Sequence, residues 1–381
     1  MGNGQAASGT PIKIGAIASM SNGIDFRSSP ATAKAYFDCV NANGGINGRP
    51  IAYTYEDDAL DPQKSGALAT KFADDKDVVA MAGGASFVGC GVWNDIYKKA
   101  GLYDILGVGV PKPCFFASNM AAMNAGPRLS AIGADQYYVE GEGKKVFGEL
   151  DLGLPGVGDW VAEGTTAYLK TVGGTKVIEE QTPPALKDAA PYMTQIKDKK
   201  PEVFGVFLPA PNAAVVLKAA EQQKLGETVR FTCQTPCYDT TFPSQIGAYW
   251  NDKFTTNSEF TLLDAQTPDN LNWRAILQKY GTADQPRDSF SQAGYLAAKA
   301  LVDTLLKMDP NSITRENVGK AIVGIADWKS DILCKPWNFG AGDHHNANNA
   351  IRQVKLDASG KYVVAKDCFQ VADPELADLV K

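Results

Sequence analysis

The chain has 381 residues, and its 37 Lys or Arg against 43 Asp or Glu residues give a formal net charge of −6, which disfavours a broad nucleic-acid-binding surface. Hydrophobic residues make up 44% and charged residues 21%, a globular composition that excludes a disordered chain, and no apolar run reaches the roughly 18 residues of a membrane span. At about 150 residues per domain, the length predicts two domains.

Apolar, β-rich runs alternate with helical patterns from residue 12 onwards. Asp61 and Pro62 open the second helix, because Asp can cap free amide groups and Pro is tolerated in the first helical turn. The elements predicted in this part are strands 12–18, 51–55, 78–81 and 105–108, and helices 31–43, 61–75 and 91–100. This alternation predicts a parallel sheet that is covered on both faces.

A second series of alternating strands and helices repeats this order and spacing. It consists of strands 145–150, 175–180, 203–208 and 229–233, and helices 159–171, 189–199 and 213–224. The tail differs, with helices 271–280, 292–308 and 315–323 followed by a hairpin of strands 351–356 and 362–365. We therefore predict an α/β protein with two similar doubly wound parallel-sheet lobes, to both of which the chain returns.

Histidine is nearly absent, since His344 and His345 are the only two. Acid–base, triad and zinc sites usually draw on imidazole, so the composition disfavours them, although carboxylate, Lys or Cys catalysis stays open. No GxSxG, HExxH or P-loop motif occurs. Asp57, Asp58 and Asp61 are interpreted as capping residues of a strand-to-helix turn. We predict no enzyme activity, no metal and no cofactor.

Seven cysteines occur without a CxxC motif. Their local spacing predicts three disulfides and one free thiol, namely Cys90 with Cys114, Cys233 with Cys237, Cys334 with Cys368, and Cys39 alone. Three disulfides suit an oxidising compartment, and buried thiols in a cytosolic protein are the alternative. Residues 1–11 read as a flexible tether without the apolar segment of a signal peptide, as in a cytosolic protein or a mature, lipid-anchored exported one.

Ligands of open parallel sheets bind beyond the carboxyl ends of the strands. The loops at these ends are 19–27, 83–89, 108–113, 151–159, 209–212 and 234–238. Residues 83–86, Gly-Gly-Ala-Ser, allow close approach to the backbone and precede a helix, so they predict an anion site, with a plain turn as the alternative. Aromatic residues near these loops form either core or an apolar slot, and they are Phe26, Phe87, Trp160, Tyr238 and Phe290.

Residues 40–48, Val-Asn-Ala-Asn-Gly-Gly-Ile-Asn-Gly, and 55–62, Tyr-Glu-Asp-Asp-Ala-Leu-Asp-Pro, carry a family resemblance. Together with Asp-Ile-Tyr at 95–97, the helix at 295–301 and the hairpin at 351–364, they resemble type I periplasmic solute-binding proteins of ABC transporters, most of all the branched-chain amino-acid (Leu/Ile/Val) group. The resemblance covers nearly the whole chain from Ile12.

The resemblance implies a two-lobed Venus flytrap with a three-stranded hinge near 126–135, 255–263 and 336–340. One lobe would contain 12–131 and 264–337, and the other 132–263 and 338–381. A small ligand would bind between the lobes, and the closed form would be recognised by the permease subunits of an ABC transporter. The resemblance further implies a monomer in the periplasm or on the outer face of the membrane.

The resemblance also assigns binding residues. Its carboxylate-binding loop falls on 85–89, with Ala85 at the start and Ser86 as the hydroxyl donor. A second carboxylate contact falls near Gly109, but Pro111 lacks both a hydroxyl and an N–H group. The resemblance also implies Phe26 or Arg27 in the first loop and Phe290 as an apolar wall. In the second lobe it implies three separate positions, at or near Trp160, Ala210 and Thr235.

Thr235 stands where the family has the acidic residue that pairs with the ammonium group of an amino acid. A buried ammonium without a carboxylate would cost several kcal/mol. We therefore expect a compact apolar or aromatic acid or amide as the ligand, and not an α-amino acid. A ligand-sensing regulator of the same fold is the main alternative, and a two-lobed enzyme is a weaker one.

Overall fold

The computed structural model describes residues 4–22, 24–345 and 347–376. Contacts divide the chain into unit 1, Met1–Asn124 with Thr261–Asn348, and unit 2, Ala125–Phe260 with Asn349–Lys381. The chain therefore passes three times from one unit to the other, after residues 124, 260 and 348.

Strands and helices alternate along most of the chain. The strands are β1 (Ile12–Ala18), β2 (Ile51–Asp57), β3 (Val78–Ala82), β4 (Ala85–Ser86), β5 (Asp104–Leu106), β6 (Val108–Gly109), β7 (Met120–Ala122), β8 (Val146–Leu152), β9 (Thr175–Thr182), β10 (Val203–Phe207), β11 (Arg230–Cys233), β12 (Phe254–Ser258), β13 (Ala350–Leu356) and β14 (Tyr362–Gln370). The helices are α1 (Ser28–Ala42), α2 (Pro62–Asp74), α3 (Cys90–Ala100), α4 (Gly126–Glu142), α5 (Gly158–Thr171), α6 (Ala190–Lys199), α7 (Ala210–Gln222), α8 (Phe242–Ile246), α9 (Pro268–Tyr280), α10 (Ser289–Leu305) and α11 (Arg315–Val323).

Unit 1 has a sheet in the order β6-β4-β1-β3-β5-β7, with β2 also paired to β1, and these pairings are parallel. Strand β1 is buried along almost its whole length, as expected for a parallel strand with both faces covered. The predicted helix start is confirmed, because the Asp61 carboxylate accepts hydrogen bonds from the N–H groups of Gln63 and Lys64 at the start of α2.

Unit 2 has a sheet in the order β14-β13-β12-β11-β10-β8-β9. Strands β8 to β12 pair in parallel, and β13 and β14 extend the sheet as an antiparallel hairpin. The core of this unit includes Ala131 and Ala134 of α4, packed with Val161 of α5 and Phe207 of β10. The predicted α/β class with two mostly parallel sheets is confirmed.

Two segments differ from the prediction. Residues 126–135, predicted as a hinge crossing, form the first part of helix α4, so a lobe boundary at residue 131 would fall inside a helix. Residues 255–258, the first part of the segment 255–263 predicted as the second crossing, belong to strand β12 in the sheet of unit 2, and the chain passes to unit 1 after residue 260, inside that segment.

Two predicted disulfides are present, Cys90 with Cys114 in unit 1 and Cys233 with Cys237 in unit 2. Cys334 and Cys368 are also disulfide-bonded, and Cys39 has a free thiol. In the part of the chain that the structure describes, no helix is long and apolar enough to cross a membrane.

Candidate functional site

The carboxyl ends of four neighbouring strands meet in unit 1. Ala18 at the end of β1 pairs with Asp57 of β2 and Ala85 of β4, and Ser86 of β4 pairs with Gly109 of β6. The loops that follow these strands therefore start side by side, at the edge where open parallel sheets bind ligands.

Three predicted residues form an aromatic patch at this edge, which consists of Phe26, Phe87 and Phe290. The Phe26 ring stacks on Phe87 at a centroid distance of 5.0 Å and an interplanar angle of 14°. It also meets Phe290 edge-on at 5.0 Å. Phe26 is 5% exposed, whereas Phe87 and Phe290 are half-buried, so these two residues retain surface that the rest of the chain does not cover. The packing thus brings together three of the five predicted aromatic residues, and a ligand slot beside them stays a prediction.

Ser86 is fully buried, and its hydroxyl group is used inside the protein. Its Oγ lies 2.5 Å from Asp58 Oδ2, to which it donates, and it accepts the N–H groups of Val88 at 3.1 Å and Gly89 at 2.9 Å. Ser19 Oγ also donates to it at 3.3 Å. The Ser86 hydroxyl thus fixes the backbone of loop 85–89 and is not the free hydroxyl donor that the resemblance implied.

Asp58, the first residue after β2, is the central acceptor of this hydrogen-bond network and is fully buried. Besides Ser86, its carboxylate accepts the hydroxyl of Ser65 at 3.3 Å and the N–H of Leu60 at 3.0 Å. The Trp93 indole donates in turn to Ser65 at 2.9 Å. The network therefore joins the ends of two strands to helices α2 and α3.

The backbone polar groups of Gly109 are also hydrogen-bonded within unit 1. Both of its backbone polar groups bond to the side-chain amide of Asn124, at 2.7 and 3.1 Å. A Cβ at this position would lie 2.9 Å from the Cβ of Ala122, so glycine is needed here for close packing. Arg27, by contrast, is exposed, with its guanidinium 3.7 Å from the carboxylate of Asp25.

In unit 2 Thr235, the position at which the resemblance predicts an acidic residue in the family, is buried in a polar network. Its hydroxyl donates to Asn257 Oδ1 at 2.8 Å, and the Ser130 hydroxyl donates to the same oxygen at 2.6 Å. The Asn257 amide donates back to the carbonyl oxygen of Ser130. This network joins β12 to α4 and to the loop after β11, and explains why polar residues are buried there.

Trp160, near the start of α5, is 2% exposed and is held by the C-terminal segment. The guanidinium of Arg128 lies 5.5 Å from the Trp160 ring and donates to its carbonyl oxygen at 3.0 Å. Asp373 binds Arg128 through two hydrogen bonds of 2.6 and 3.1 Å, and Glu375 accepts the Trp160 indole N–H at 3.3 Å. Arg128 and Asp373 are almost fully buried, so this is an internal ion pair.

The other two predicted positions of unit 2 lie at element ends. Ala210 is the half-buried first residue of α7. Tyr238 is buried and meets Tyr362 edge-on at 5.0 Å, while the Tyr362 hydroxyl donates to the carbonyl oxygen of Cys237. Tyr238 is therefore part of the packing between a loop and strand β14.

An acidic cluster in unit 2 was missed from the sequence. Glu149 and Asp151 of β8 and Asp135 of α4 are buried, and the Lys176 ammonium bonds to Glu149 and to the Thr165 hydroxyl. Burial raises the pKa of Asp135 and of Asp151, and the charge of Glu149 raises both further. The alternation of Glu149 and Asp151 in an otherwise apolar strand was the available signal. No group of residues suited to a metal occurs among the described residues.

Comparisons with known proteins agree with this fold. A family model described as periplasmic binding protein matches residues 11–361. An amino acid binding protein of Pseudomonas aeruginosa is 28% identical over 196 residues, so the match spans about half of this chain (50%) and half of that protein (51%).

Several solved structures are similar over almost their full length. A solute-binding protein of an ABC transporter from Rhodopseudomonas palustris, in complex with p-hydroxybenzoic acid, has a TM-score of 0.81 at 17% identity and covers 97% of this chain and 100% of its own. A fatty acid transporter substrate-binding protein from Thermomonospora curvata has a TM-score of 0.81 at 17% identity, covering 96% and 94%.

A branched-chain amino acid binding protein from Streptococcus pneumoniae, in complex with isoleucine, has a TM-score of 0.77 at 16% identity and covers 94% of this chain and 100% of its own. At these identities the structural likeness concerns the fold. The family match extends from just before β1 to just before β14. With its two mostly parallel sheets and this match over most of its length, the chain belongs to the periplasmic binding protein family.

Proposed function

We propose that this protein is an extracytoplasmic solute-binding protein that captures a small aromatic acid or amide between its lobes and delivers it to an ABC importer. The family match supports capture and delivery. A ligand that contacts both lobes would favour the closed state and so shift the population towards it. The chain itself makes and breaks no bond.

The aromatic patch is the observation that carries the choice of ligand. The half-buried rings of Phe87 and Phe290, braced by Phe26, form a wall of the kind on which a flat apolar ring stacks. Similar folds include a protein in complex with p-hydroxybenzoic acid and one in complex with isoleucine, so the fold itself accommodates both ligand classes.

The polar residues of unit 2 support the same choice. An α-amino acid needs a carboxylate for its ammonium group, and Thr235 at the expected position is neutral. The carboxyls of Glu149 and Asp151 are buried, and that of Glu149 already bonds to the Lys176 ammonium.

A thermal-shift screen tests the proposal with aromatic acids, aromatic amides, branched-chain amino acids and fatty acids. We expect the largest rise in melting temperature with an aromatic acid or amide, because a compound stabilises the folded protein only if it binds to it. A large shift with leucine or valine and none with aromatic compounds would overturn the proposed ligand class. Small-angle scattering with and without the best compound then tests closure, and superimposable curves would contradict it.

A further inference from the structure

Loop 85–89 has three backbone N–H groups that point inward. The N–H of Phe87 donates to Ser19 Oγ at 3.4 Å, and those of Val88 and Gly89 donate to Ser86 Oγ. An anion-binding loop before a helix works by leaving such groups free. Here the donors that a carboxylate would need are already used by two buried hydroxyls.

The direction of these bonds depends on Asp58. A serine hydroxyl has one proton to donate and two lone pairs to accept with. Because the Ser86 proton goes to Asp58 at 2.5 Å, its lone pairs can only accept, and they are shared by the N–H groups of Val88 and Gly89 and, at the longer distance of 3.3 Å, by the Ser19 hydroxyl. Ser86 therefore has no proton left for a ligand.

We infer that Asp58 is a positioning residue that sets the specificity of loop 85–89: by accepting the Ser86 proton, it turns the donors of the loop inward and leaves Phe87 as the group that faces a ligand. The inference rests on the proposed function in assigning this loop to the ligand. It differs from the role that the resemblance implied, in which Ser86 binds a carboxylate directly.

The charge of Asp58 acts in the same direction. Its carboxylate is fully buried one hydroxyl away from the loop, and the repulsion between two negative charges in such surroundings is weakly screened. A ligand carboxylate on loop 85–89 would be repelled. The part of the ligand that lies on this loop is therefore an apolar ring or a neutral group, and the charged end of an aromatic acid points elsewhere.

Asp58→Asn is the decisive variant, because it keeps the size of the side chain and replaces one acceptor oxygen by an NH2 group. The Asp58 carboxylate now accepts from Ser86 with one oxygen and from the Leu60 N–H with the other, and an amide cannot do both. Ser65→Ala is the matched control, since Ser65 bonds to the same carboxylate from α2.

Hydrogen exchange of the Val88 and Gly89 amides tests the positioning role without any ligand. We expect exchange at least ten times faster in Asp58→Asn and in Ser86→Ala, no further increase in the double variant, and little change in Ser65→Ala. Unchanged exchange in Asp58→Asn, or effects that add in the double variant, would overturn the inference. A general loss of stability would instead accelerate exchange throughout unit 1 and add to the effect of Ser86→Ala.

Titration with benzoate and its neutral counterpart benzamide tests the specificity. We expect Asp58→Asn to raise the ratio of benzoate to benzamide affinity at least threefold, whereas an unchanged ratio would overturn this part of the inference. If neither probe binds the wild-type protein, the proposed ligand class fails, and the exchange experiment still decides whether Asp58 positions the loop.

Discussion

The carboxyl edges of the two sheets differ in what they expose. In unit 1 the rings of Phe87 and Phe290 are half-buried at this edge, while the polar groups beneath them bond to each other. In unit 2 the predicted contact residues Trp160 and Tyr238 are buried, and Thr235 is part of an internal network. Strand order decides where a site can form, whereas hydrogen bonds among neighbouring loops decide which side chains are left for a ligand.

Both units bury carboxyl groups outside ion pairs, but only unit 2 is described with buried ion pairs as well. Unit 2 pairs Arg128 with Asp373 and Lys176 with Glu149, and it also buries Asp135 and Asp151, whose pKa values burial raises. In unit 1, Asp104 at the start of β5 is buried, and its Oδ1 has no hydrogen-bond partner among the described residues. A paired charge makes folding sensitive to loss of its partner, and an unpaired carboxyl makes it sensitive to pH.

The largest effect is expected from Arg128→Ala in unit 2. It leaves the buried Asp373 carboxylate without its cation, and breaking such a pair costs about 3–5 kcal/mol of unfolding free energy. Denaturant unfolding measures the loss. Lys320→Ala is the control, because Lys320 and Glu316 are 70% and 76% exposed and such pairs contribute about 0–1 kcal/mol. Equal effects of the two variants would contradict the account.

Removing the disulfides compares the units directly. The bridge of unit 1 spans 24 residues and that of unit 2 spans 4, so the loop-closure entropies predict losses of about 3 and about 2 kcal/mol, respectively. We expect the variant with Cys90 and Cys114 both changed to Ser to be less stable than the variant with Cys233 and Cys237 changed. The reverse order in denaturant unfolding would show that native-state packing outweighs chain entropy.

Asp104→Asn is expected to remove part of the pH dependence of stability. Burial raises the pKa of Asp104 to about 8 in the folded state, so the native protein binds a proton that the unfolded chain has released. The free energy of unfolding should therefore fall as the pH rises from about 4 to about 8. In the variant this contribution is absent, and at pH 9 we expect it to be more stable by at least about 1.4 kcal/mol, the equivalent of one pKa unit. An identical pH profile would contradict this.

Arg27→Ala should have the smallest effect on folding. Arg27 is exposed and its contact with Asp25 is 3.7 Å, so the unfolding free energy should change by less than about 0.5 kcal/mol. If its charge attracts an aromatic acid, the affinity for 4-hydroxybenzoate falls by about threefold at low salt and less at high salt. Arg27→Lys keeps the charge and should retain most of the affinity, and a salt-independent loss would contradict an electrostatic role.

The sequence predicted the regular strands and helices well, because their apolar periodicity reflects local burial. It did not predict α4 and β12. Helix α4 is buried on most sides and so lacks an amphipathic stripe, and β12 contains polar residues such as Thr256 and Asn257 that are satisfied by side-chain bonds. Both segments are stabilised by contacts that a local pattern does not contain.

The aromatic patch could be anticipated from the positions of its residues at strand or helix ends, and two disulfides from their spacing. The orientation of the Ser86 hydroxyl could not be anticipated in this way. It depends on Asp58, 28 residues earlier, and on Ser19, 67 residues earlier, and a motif matched at Ser86 does not include either residue. The pattern of β8 offered a signal for Glu149 and Asp151, but not for their grouping with Asp135 and Lys176, which come from other elements.

Titration calorimetry of wild type, Phe87→Ala and Leu271→Ala with the best aromatic compound of the screen tests the central claim most directly. Leu271 is an exposed apolar residue of α9, at 44%, and serves as the matched control. Stacking and apolar burial on Phe87 predict an affinity about ten times lower in Phe87→Ala and unchanged in Leu271→Ala. Equal affinities of all three proteins would contradict a ligand site on the aromatic patch.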